Sequence, residues 1–527
     1  MLAAQVHQPP SEVPYEEAKG NFAQVIAYLS SREAHQMSES DLERELNQRG
    51  QELMRKLLQG HLKSRGPGEA AGPVAGADGV ERSEQRSHER SLETIFGTVA
   101  VARVGYAAEG HDSLHPLDAA LNLPPERYSL EVRRRIAEAA ASRSFDESLL
   151  DLGRHTGADL PKRQAEELVL RAAQDFDAFY EARREEERPA EPEGGVLVLS
   201  FDGKGVVMHR EDLREATRKA AERRRHKKQK LAKLFDRLSK GEKKNSKRMA
   251  TVATVYSVEP FVRSPEEFLL GLMPPQPGAK AKVVRPRPVA KRVWASAEKE
   301  PWEVMEEAIL EAERRDPQHG KSWVVVVDGA EHQLDLVNEI TSIYEVNVTV
   351  VLDVIHVAEY VWKAAHAFHR EGSPELEFWA WTRLRGILEG KAVTVAAAMR
   401  RAATVAGLSV DKRKAVDKCA DYLLKYAPYL NYDAYLAAGY PIASGVIEGA
   451  CRYLVRDRME LTGARWRLAG AEAVLRLRAL RASGDFDTYW TFHEAREYER
   501  NHALRYAGGI VPRSASLRRL SHRASAG

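Results

Sequence analysis

Three acidic residues occur where their carboxylates could act together on one substrate. Asp202 follows the apolar run VLVLSF, Asp328 follows the run SWVVVV, and Glu448 lies in the segment SGVIEGACRYLV. Neighbouring carboxylates repel one another, and divalent cations relieve that repulsion. Two such ions about 4 Å apart can activate a nucleophile and stabilise the leaving oxygen of a phosphoryl transfer. Because oxygen ligands favour Mg²⁺ or Mn²⁺, the sequence predicts Asp202, Asp328 and Glu448 as catalytic residues that bind two Mg²⁺ or Mn²⁺ ions.

Each of these acids also has an ordinary structural explanation. Asp before Gly is a common turn pair, which describes both Asp202 and Asp328, and Glu in a first helical turn interacts favourably with the helix dipole. Their joint placement favours chemistry, because reacting groups gather where strands end along one edge of an α/β sheet. The residues Gly203-Lys204-Gly205 are predicted to form a turn after a first strand, which would let a phosphate approach Asp202 closely.

The segments that would position the acids alternate between strand and helix patterns. Apolar, β-branched runs predict buried strands, and such runs alternating with helices are typical of an α/β sheet. The predicted strands are 196–199, 249–258, 291–296, 323–327 and 347–356, with helices after the third and the fourth of them. Residues 357–438 are predicted to be almost wholly helical. A helix with Ser444 as its N-cap then carries Glu448 next to an apolar stripe of Ile447, Ala450, Cys451, Leu454 and Val455.

A helix-turn-helix pattern lies within residues 144–180. Apolar residues recur on one side of its first helix, and Asp159 in the turn is predicted to cap the second helix. Lys162, Arg163 and Gln164 would then begin the second helix, where base-reading side chains lie in DNA-binding motifs of this kind. An ordinary helical hairpin explains the same pattern equally well, so both interpretations stay open.

Charge and composition limit the classes of function. The chain has 527 residues and a net charge of only +3, so affinity for nucleic acid must come from local clusters. Residues 209–248 are rich in Lys and Arg, which predicts a phosphate-binding segment, although a solvated helix or loop has the same composition. A zinc site, a P-loop ATPase and a membrane enzyme are not expected, because the sequence contains no CxxC pair, no GxxxxGK[ST] motif and no apolar run of membrane-spanning length.

Several further side chains could contact DNA. Lys204 could meet a phosphate, and Arg452 and Arg456 could hold the phosphate backbone from the face of the helix that carries Glu448. His356 could position DNA or orient a carboxylate ligand of the metals. Trp466 could stack on a base, and it is equally well explained as a core residue.

Longer blocks of the sequence resemble a known family. The most specific are YPIASGVIEGACRYLVRDRMELTGARW and GAEAVLRLRALRASGDFDTYW, and the blocks SFDGKGV and VVVDGAEHQ contain the first two acids. Upstream, FGTVAVARVGY, LHPLDAALNLP and SFDESLLDLGRHTG extend the likeness, which covers about residues 92–490. These blocks resemble bacterial insertion-sequence transposases of the ISKra type. The tetrapeptide DVIH at 353–356 is similar to the Asp/Cys-x-x-His motif of Mutator-like transposases.

The resemblance implies a fold, an activity and partners. The fold would be an α/β, RNase H-like catalytic core with an all-helical insertion, after a mainly helical N-terminal region that contains a helix-turn-helix. Asp202, Asp328 and Glu448 would be the DDE triad of a transposase that cleaves and transfers DNA strands at the ends of an insertion sequence. Its partners would be double-stranded DNA, as terminal inverted repeats and as target, and further copies of the chain in a homo-oligomer. It would act in the bacterial cytoplasm, at the nucleoid.

The sequence also predicts a domain order and leaves two other functions open. A helical N-terminal segment with a flexible linker (1–90) precedes a DNA-binding region (91–190). The core then has a first part (196–360, with the basic insertion 209–248), the helical insertion (361–438) and a last part (439–490), before a C-terminal tail (491–527). The alternative functions are a non-catalytic, domesticated helix-turn-helix regulator and an RNase H-like nuclease without strand transfer.

Overall fold

The fold is described from a computed structural model over residues 13–185, 195–228, 246–272 and 285–513. Residues 229–245 of the predicted basic segment and the end of the predicted tail, from 514 onward, lie outside this description. The described chain is a mixed α/β structure, as its strand and helix patterns predict. It divides into two compact units, residues 1–179 with 486–527 and residues 180–485. None of the helices described here combines the length and apolarity that crossing a bilayer requires.

The first unit combines helices with a small antiparallel sheet. Its strands are β1 (Val74–Ala75), β2 (Glu81–Arg82), β3 (Glu84–Thr94), β4 (Gly97–Ala108) and β5 (His111–Leu114). Strand β4 pairs with both β3 and β5, and β1 pairs with β2 in a short hairpin. The helices are α1 (Glu16–Leu29), α2 (Arg32–Gln36), α3 (Glu39–Ser64), α4 (Pro116–Ala120), α5 (Leu130–Ser142), α6 (Phe145–His155) and α7 (Lys162–Ala172). Helix α8 (Phe176–Glu185) begins in this unit, and its residues from Tyr180 onward belong to the second unit.

The second unit is built on a mixed sheet of five strands among the described residues. These are β6 (Val196–Val207), β7 (Lys247–Val258), β8 (Val289–Ser296), β9 (Ser322–Val327) and β10 (Thr349–Leu352). Their order is β10-β9-β6-β7-β8, in which β6, β9 and β10 are parallel to one another and β7 is antiparallel to both of its neighbours.

The helices of the second unit connect and cover these strands. Those that accompany the strands are α9 (Glu215–Lys228), α10 (Pro265–Leu272), α11 (Pro301–Arg315), α12 (Glu331–Ile343) and α13 (Val354–Ala365). A helical insertion follows, with α14 (Pro374–Leu388), α15 (Ala392–Val405), α16 (Val410–Lys425) and α17 (Tyr432–Ala437), which confirms the helical prediction for this region. The last helices are α18 (Gly445–Ala450), α19 (Asp457–Met459) and α20 (Leu468–Ser483), and α21 (Phe486–Asn501) belongs to the first unit.

The centre of the larger sheet is apolar on both faces. Residues Val196–Leu199 of β6 and Val324–Val327 of β9 are buried almost completely, as their continuous apolar runs predict. Helix α11 contacts β6 and β7, and α18 contacts the same two strands, so neither face of this part of the sheet is open to water. Burying each Val or Leu side chain stabilises the fold by roughly 1.5–3 kcal/mol, which fixes the strands that carry the acids.

The predicted turn after Asp202 is wrong. Strand β6 continues through Gly203-Lys204-Gly205 to Val207, and Asp202 pairs with Val252 of β7 inside the sheet. The two glycines allow close side-chain approach from β7, because a Cβ on Gly205 would lie 2.8 Å from the Lys247 Cδ atom. Here glycine accommodates a neighbouring strand and does not mark a change of chain direction.

The predicted strand 347–356 ends earlier than expected, and α13 begins within it. Strand β10 stops at Leu352, and Asp353 is the N-cap of α13. The Asp353 carboxylate accepts a hydrogen bond from the Ile355 N–H (2.9 Å), which satisfies one of the free donors at the helix start. His356 is therefore in the first turn of a helix and not at the end of a strand.

The two predicted helices of the helix-turn-helix pattern exist, as α6 and α7. They pack with α5 around a shared core that includes Ile136, Leu152 and Leu168. Two details differ from the prediction. Pro161 and not Asp159 is the N-cap of α7, and the connection between the helices spans residues 156–161, longer than the three or four residues usual in this motif.

The two units differ from the predicted domain order. The segments 1–90 and 91–190 share one unit up to residue 179, because the Gln59 side chain of α3 donates to the Ala100 carbonyl (2.9 Å) and accepts from its N–H (2.8 Å). Strands β1 and β2 lie inside the predicted linker. Helix α21 extends into the predicted tail and covers its residues 491–501.

A buried polar network ties α21 to the N-terminal helices within the first unit. Arg133 of α5 donates to Glu497 (2.6 Å) and to Nε2 of His493 (3.0 Å). Since Arg only donates, His493 must carry its hydrogen on Nδ1, which donates to Asp175 (2.7 Å). Asp175, His493 and Glu497 are close enough to hold a metal ion, but Arg133 and Arg500 already occupy their ligand atoms. The cluster is therefore explained as an ion-pair network.

Replacing Arg133 with Met should destabilise the first unit strongly. The buried carboxylates would lose their partner, which costs about 3–5 kcal/mol of unfolding free energy. Burial acts to raise the pKa of Glu497, but the charge and hydrogen bond of Arg133 outweigh it and hold the pKa below its usual value of 4.5. The stabilisation should therefore be complete near pH 7 and decline as the pH falls below about 4.5, as measured by urea unfolding.

The matched control for this prediction is Arg135→Met on the same helix. The Arg135 side chain is 46% exposed and pairs only with Glu131 among the described residues, so its loss should change stability by less than about 0.5 kcal/mol. Equal losses in the two variants would contradict the assigned role of the network.

Candidate metal centre

The register of the parallel strands brings three carboxylates to equivalent positions. In β6 and β9, Ser200 pairs with Val326, so Asp202 and Asp328 each lie two residues beyond this pair. In β9 and β10, Val327 pairs with Leu352, so Asp328 and Asp353 each follow the paired residue directly. Residues two apart along a strand point to the same side of the sheet. The sequence therefore aligns Asp202, Asp328 and Asp353 across three neighbouring strands.

Asp202 is held inside the sheet by short contacts. Its Oδ1 accepts a hydrogen bond from the Gly203 N–H (2.6 Å), and its Oδ2 accepts one from the Cys451 thiol, with Sγ 3.0 Å away. Burial and the nearby charge of Asp202 both raise the pKa of the Cys451 thiol, so it remains a protonated donor. Glu448 also raises the pKa of the Cys451 thiol, and Lys204 lowers it. Cys451 therefore lies where strand β6 and the Glu448 helix meet.

Asp328 begins a tight backbone turn after β9. Its Oδ1 accepts a hydrogen bond from the Ala330 N–H (2.9 Å). Gly329 has φ of +89°, and a Cβ there would lie 2.8 Å from the Leu352 Cδ1 atom and 3.1 Å from the Tyr422 hydroxyl. Only glycine fits both the left-handed backbone and the close approach, so the pair Asp328-Gly329 is required by the site and is not merely a common turn sequence.

Tyrosines of the helical insertion hold the ends of β9 and β10. Tyr422 donates to the carbonyl of Asp328 (3.3 Å), Tyr426 to that of Gly329 (2.6 Å) and Tyr432 to that of Leu352 (2.7 Å). Burial raises the pKa of all three phenols, which therefore stay protonated as donors. The insertion thus stabilises the backbone on which two of the aligned acids depend.

Glu448 lies in the first turn of α18, as predicted, and its carboxylate is exposed. The predicted apolar stripe from Ile447 to Val455 is buried, which confirms the orientation of this helix. Beyond α18 the chain continues without a break into a π-helical segment, Cys451–Arg456, and then into α19. Wide π turns of this kind occur frequently at functional sites.

Ser444 lies directly before α18, but its hydroxyl does not cap this helix as predicted. Its side chain makes no capping hydrogen bond to α18 and donates instead to Oδ2 of Asp353. Asp353 is completely buried, and its two oxygens accept from Ser444 and from the Ile355 N–H. The Ser444 hydroxyl therefore fixes the orientation of a buried carboxylate next to Glu448.

Asp353, His356 and Glu448 together form a group that could bind a metal ion. One ligand atom from each lies within 4.8 Å of the others. In the described part of the chain, the side chains of His356 and Glu448 have no hydrogen-bond or ion-pair partner, so their ligand atoms are available. Two carboxylates and an imidazole suit Mn²⁺ or a similar ion better than Mg²⁺, which prefers oxygen ligands alone.

The predicted triad is brought into one region but does not form such a close group. Over the residues that the structure covers, Asp202, Asp328 and Glu448 do not bring ligand atoms within 4.8 Å of one another. Asp202 and Glu448 both lie near Cys451, and Asp328 and Asp353 both act on the pKa of Tyr422. Asp202 and Asp328 therefore lie in the same part of the second unit as the group of Asp353, His356 and Glu448.

The other predicted contact residues of the second unit differ in exposure. Lys204 lies within β6 and is partly exposed. The Arg452 and Arg456 side chains are 77% and 62% exposed, with acidic neighbours no closer than 3.7 Å, so both are free to reach a ligand. Trp466 is buried and its Nε1 donates to the Met459 carbonyl (3.0 Å), which supports the explanation that it is a core residue.

The predicted base-reading residues lie at the exposed start of α7. Lys162 pairs with Asp146 of α6 (2.8 Å), and Arg163 pairs with Glu167 (3.2 Å). Gln164 also donates to Glu167 (3.1 Å). The side chains are thus on the surface of the first unit, where contacts to a binding partner could replace these weak, solvent-exposed interactions.

Sequence reasoning missed several residues of this region. Asp353 was visible in the DVIH block, but its place beside Asp328 depends on the register of β10. The signal for Tyr422, Tyr426 and Tyr432 was the aromatic-rich stretch around 422–435. Cys451 counted only as part of an apolar stripe.

Replacing Ser444 with Ala should weaken Mn²⁺ binding by about 10-fold or more. The hydroxyl orients Asp353, and removing such a supporting hydrogen bond typically costs 10–100-fold in metal affinity. Mn²⁺ titration followed by electron paramagnetic resonance measures the free ion directly. Ser409→Ala, an exposed serine at the start of α16 without a capping hydrogen bond, should leave the affinity unchanged. Unchanged affinity in the Ser444 variant, or an absence of Mn²⁺ binding by the wild type, would contradict the site.

Comparison of the chain with models of known protein families finds no match, and comparison with curated protein sequences finds no significant match.

Proposed function

We propose that this chain is a metal-dependent DDE transposase, which cleaves DNA at the ends of an insertion sequence and transfers the strands. The observation that carries the proposal is the alignment of Asp202 in β6 with Asp328 and Asp353 directly after the parallel strands β9 and β10, with Glu448 on a helix that contacts β6. Such a concentration of negative charge is stable when cations neutralise it. Divalent cations held at such a point favour phosphoryl transfer.

The strand arrangement supports an RNase H-like core as the finer description of the second unit. The first three strands, β6, β7 and β8, form an antiparallel meander, and β9 and β10 join parallel to β6 on its other side. The acids follow the order that the resemblance implies, in the first strand, after the fourth strand and on a later helix. The helices α14–α17 fall between β10 and Glu448, where the all-helical insertion is expected.

The proposed reaction has two steps at phosphorus. In the first step water attacks the phosphodiester at the element end, the bond from phosphorus to the 3′ oxygen breaks, and that oxygen leaves as a free 3′-OH. In the second step this 3′-OH attacks a phosphodiester of the target, and one target P–O bond is exchanged for the new one. Both steps replace one P–O bond by another, so neither requires an oxidant or an energy-carrying cofactor.

Asp202, Asp328, Asp353 and Glu448 are the residues proposed to hold Mg²⁺ or Mn²⁺, two ions in all, with His356 as a further ligand. When bound, these ions would supply charge stabilisation at the attacking and leaving oxygens. The chain itself supplies orientation: Cys451 and the Gly203 N–H fix Asp202, Ser444 fixes Asp353, and the tyrosines fix the strand ends.

Double-stranded DNA is the proposed partner. Arg452, Arg456 and Lys204 would contact its phosphates, and so would His356, which has a ligand atom within 4.8 Å of one from Glu448. On the first unit, α6 and α7 would serve as the helix-turn-helix, with Lys162, Arg163 and Gln164 toward the bases. A homo-oligomer in the bacterial cytoplasm would bring two element ends together.

The DNA that flanks the gene provides the test. Incubated with Mg²⁺ or Mn²⁺ and these flanking ends, the purified protein should produce a nick with a 3′-OH and then a joined product with target DNA. Asp202→Ala, Asp328→Ala and Glu448→Ala should each reduce both products below detection, because each removes a carboxylate needed to hold the ions. Denaturing gels with labelled ends separate the two products.

Asp335→Ala is the matched control, because this exposed carboxylate lies on α12 just beyond Asp328. It should retain wild-type rates. Full activity in any of the three acid variants would overturn the assignment of that acid. Cleavage without joining would identify a nuclease instead of a transposase, and specific binding of the ends without cleavage would identify a regulator.

A further inference from the structure

A cleft in the first unit is lined by arginines that the metal centre does not involve. Its volume is about 590 Å³, and its walls include Arg90, Arg103, Arg127 and Arg505. A deeper cavity of about 150 Å³ shares Arg90 and Arg505 with it. Ser91 and Ser113 contribute polar groups to the same cleft. This is a concave, polar surface of the size that small ligands or part of a polymer can enter.

The register of β3 and β4 explains why the arginines converge. His88 pairs with Arg103, and Arg90 pairs with Val101, so Arg90 and Arg103 project from the same face of the ribbon. Arg103 hydrogen-bonds to Asp118, and Arg90 lies 3.6 Å from the same carboxylate. Arg90 also donates to the carbonyl of Pro124 (3.1 Å), which fixes its guanidinium at the wall of the cleft.

The cleft has more positive than negative charge. Four arginines face two lining carboxylates, Asp112 and Asp118, and Arg127 also pairs with Glu93 (3.3 Å), so an excess of one positive charge remains. Asp112 is 95% exposed and lies 4.0 Å from Arg505, so it neutralises that arginine only weakly.

The local field is consistent with this excess. Burial and the charge of Arg103 lower the pKa of His115 to about 4, so His115 is neutral near pH 7. The buried Nε of Arg103 has no hydrogen-bond partner among the described residues. Oδ1 of Asp118 is likewise unpaired among the described residues, so an incoming anion would meet an excess of positive charge, one buried unpaired donor and one buried unpaired acceptor.

We propose that this cleft binds a phosphate group, with Arg103, Arg127 and Arg505 as its donors. Guanidinium groups match the geometry of phosphate through paired N–H donors. The Arg127 and Arg505 side chains are 58% and 42% exposed, so they can turn toward a ligand, whereas Asp118 holds Arg103 in place. The phosphate belongs either to a free nucleotide or to the backbone of DNA, and in the second case the inference rests on the proposed function.

The test compares these two sources by binding in the absence of metal, with EDTA present. Wild-type protein and the Arg127→Ala/Arg505→Ala variant are titrated with inorganic phosphate, with AMP and with a DNA duplex at several salt concentrations. Both substituted side chains are largely exposed, and the buried Glu93 that pairs with Arg127 keeps its hydrogen bonds from Thr98 and the Asp159 N–H, so the fold should be retained. Arg44→Ala, with a side chain 73% exposed on α3, is the matched control, and Arg505→Lys preserves the charge.

A site for the DNA backbone predicts that the double variant binds the duplex at least about tenfold more weakly near 0.1 M salt. The slope of log K against log salt should then fall by about one to two, since each lost phosphate contact contributes about 0.9. Arg505→Lys should retain most of the slope. A site for a free phosphate predicts loss of AMP or phosphate binding with duplex binding unchanged.

Unchanged affinity for all three ligands in the double variant would overturn the inference, as would an equal loss in Arg44→Ala. The result does not depend on catalysis, because no metal is present and all substituted residues lie in the first unit. If the protein binds phosphate through this cleft but does not cleave DNA, the inference of a phosphate site stands and the proposed transposase activity is contradicted.

Discussion

The strand register that gathers carboxylates at one edge of the larger sheet is the constraint on which the second unit depends. The register of β6, β9 and β10 aligns Asp202, Asp328 and Asp353, and a helix adds Glu448 nearby. Carboxylates held close together repel one another, so such an arrangement carries a cost unless donors or cations face them. The protein offsets part of this cost with donors: the Gly203 and Ala330 N–H groups, the Cys451 thiol and the Ser444 hydroxyl. Under the proposed function, divalent cations would neutralise the remaining charge.

The rest of the second unit supports this edge of the sheet. The apolar centre of β6 and β9 excludes water from below the acids, and the helical insertion supplies the tyrosines that hold the strand ends. The insertion is therefore part of the site in a physical sense, although none of its residues needs to touch a substrate. The first unit contains two sets of arginines that face carboxylates, the arginine cleft and the Arg133 network. The network is internally paired, whereas the cleft has charge to spare for a ligand.

Local sequence pattern predicted the parts of this structure that local physics determines. The valine and leucine runs of β6 and β9 could only be buried strands, and the stripe from Ile447 to Val455 fixed the face of the Glu448 helix. Gly203-Lys204-Gly205 misled, because glycine is locally typical of a turn, and the pairing that keeps it extended comes from β7, which lies far away in sequence. Asp353 was missed for a related reason, since its neighbours are set by the register of two strands and not by the residues around it. The inclusion of α21 in the first unit likewise depends on contacts between residues hundreds of positions apart.

The position of Asp202 inside a strand has a mechanical consequence. β6 is hydrogen-bonded to β7 past this residue and to β9 up to Ser200, so the first acid belongs to a strand whose backbone is held by its neighbours. Glu448 stands instead on a short helical turn that leads into a π-helical segment, where the backbone hydrogen bonds are longer-range and more easily rearranged. The backbones on the two sides of the site thus differ: Asp202 is on a strand paired with its neighbours, and Glu448 is on a short helix that leads into π turns. Under the proposed function, adjustment to the size of a bound ion or to the path of a substrate is expected on the helix that carries Glu448, with the paired strand as the fixed side.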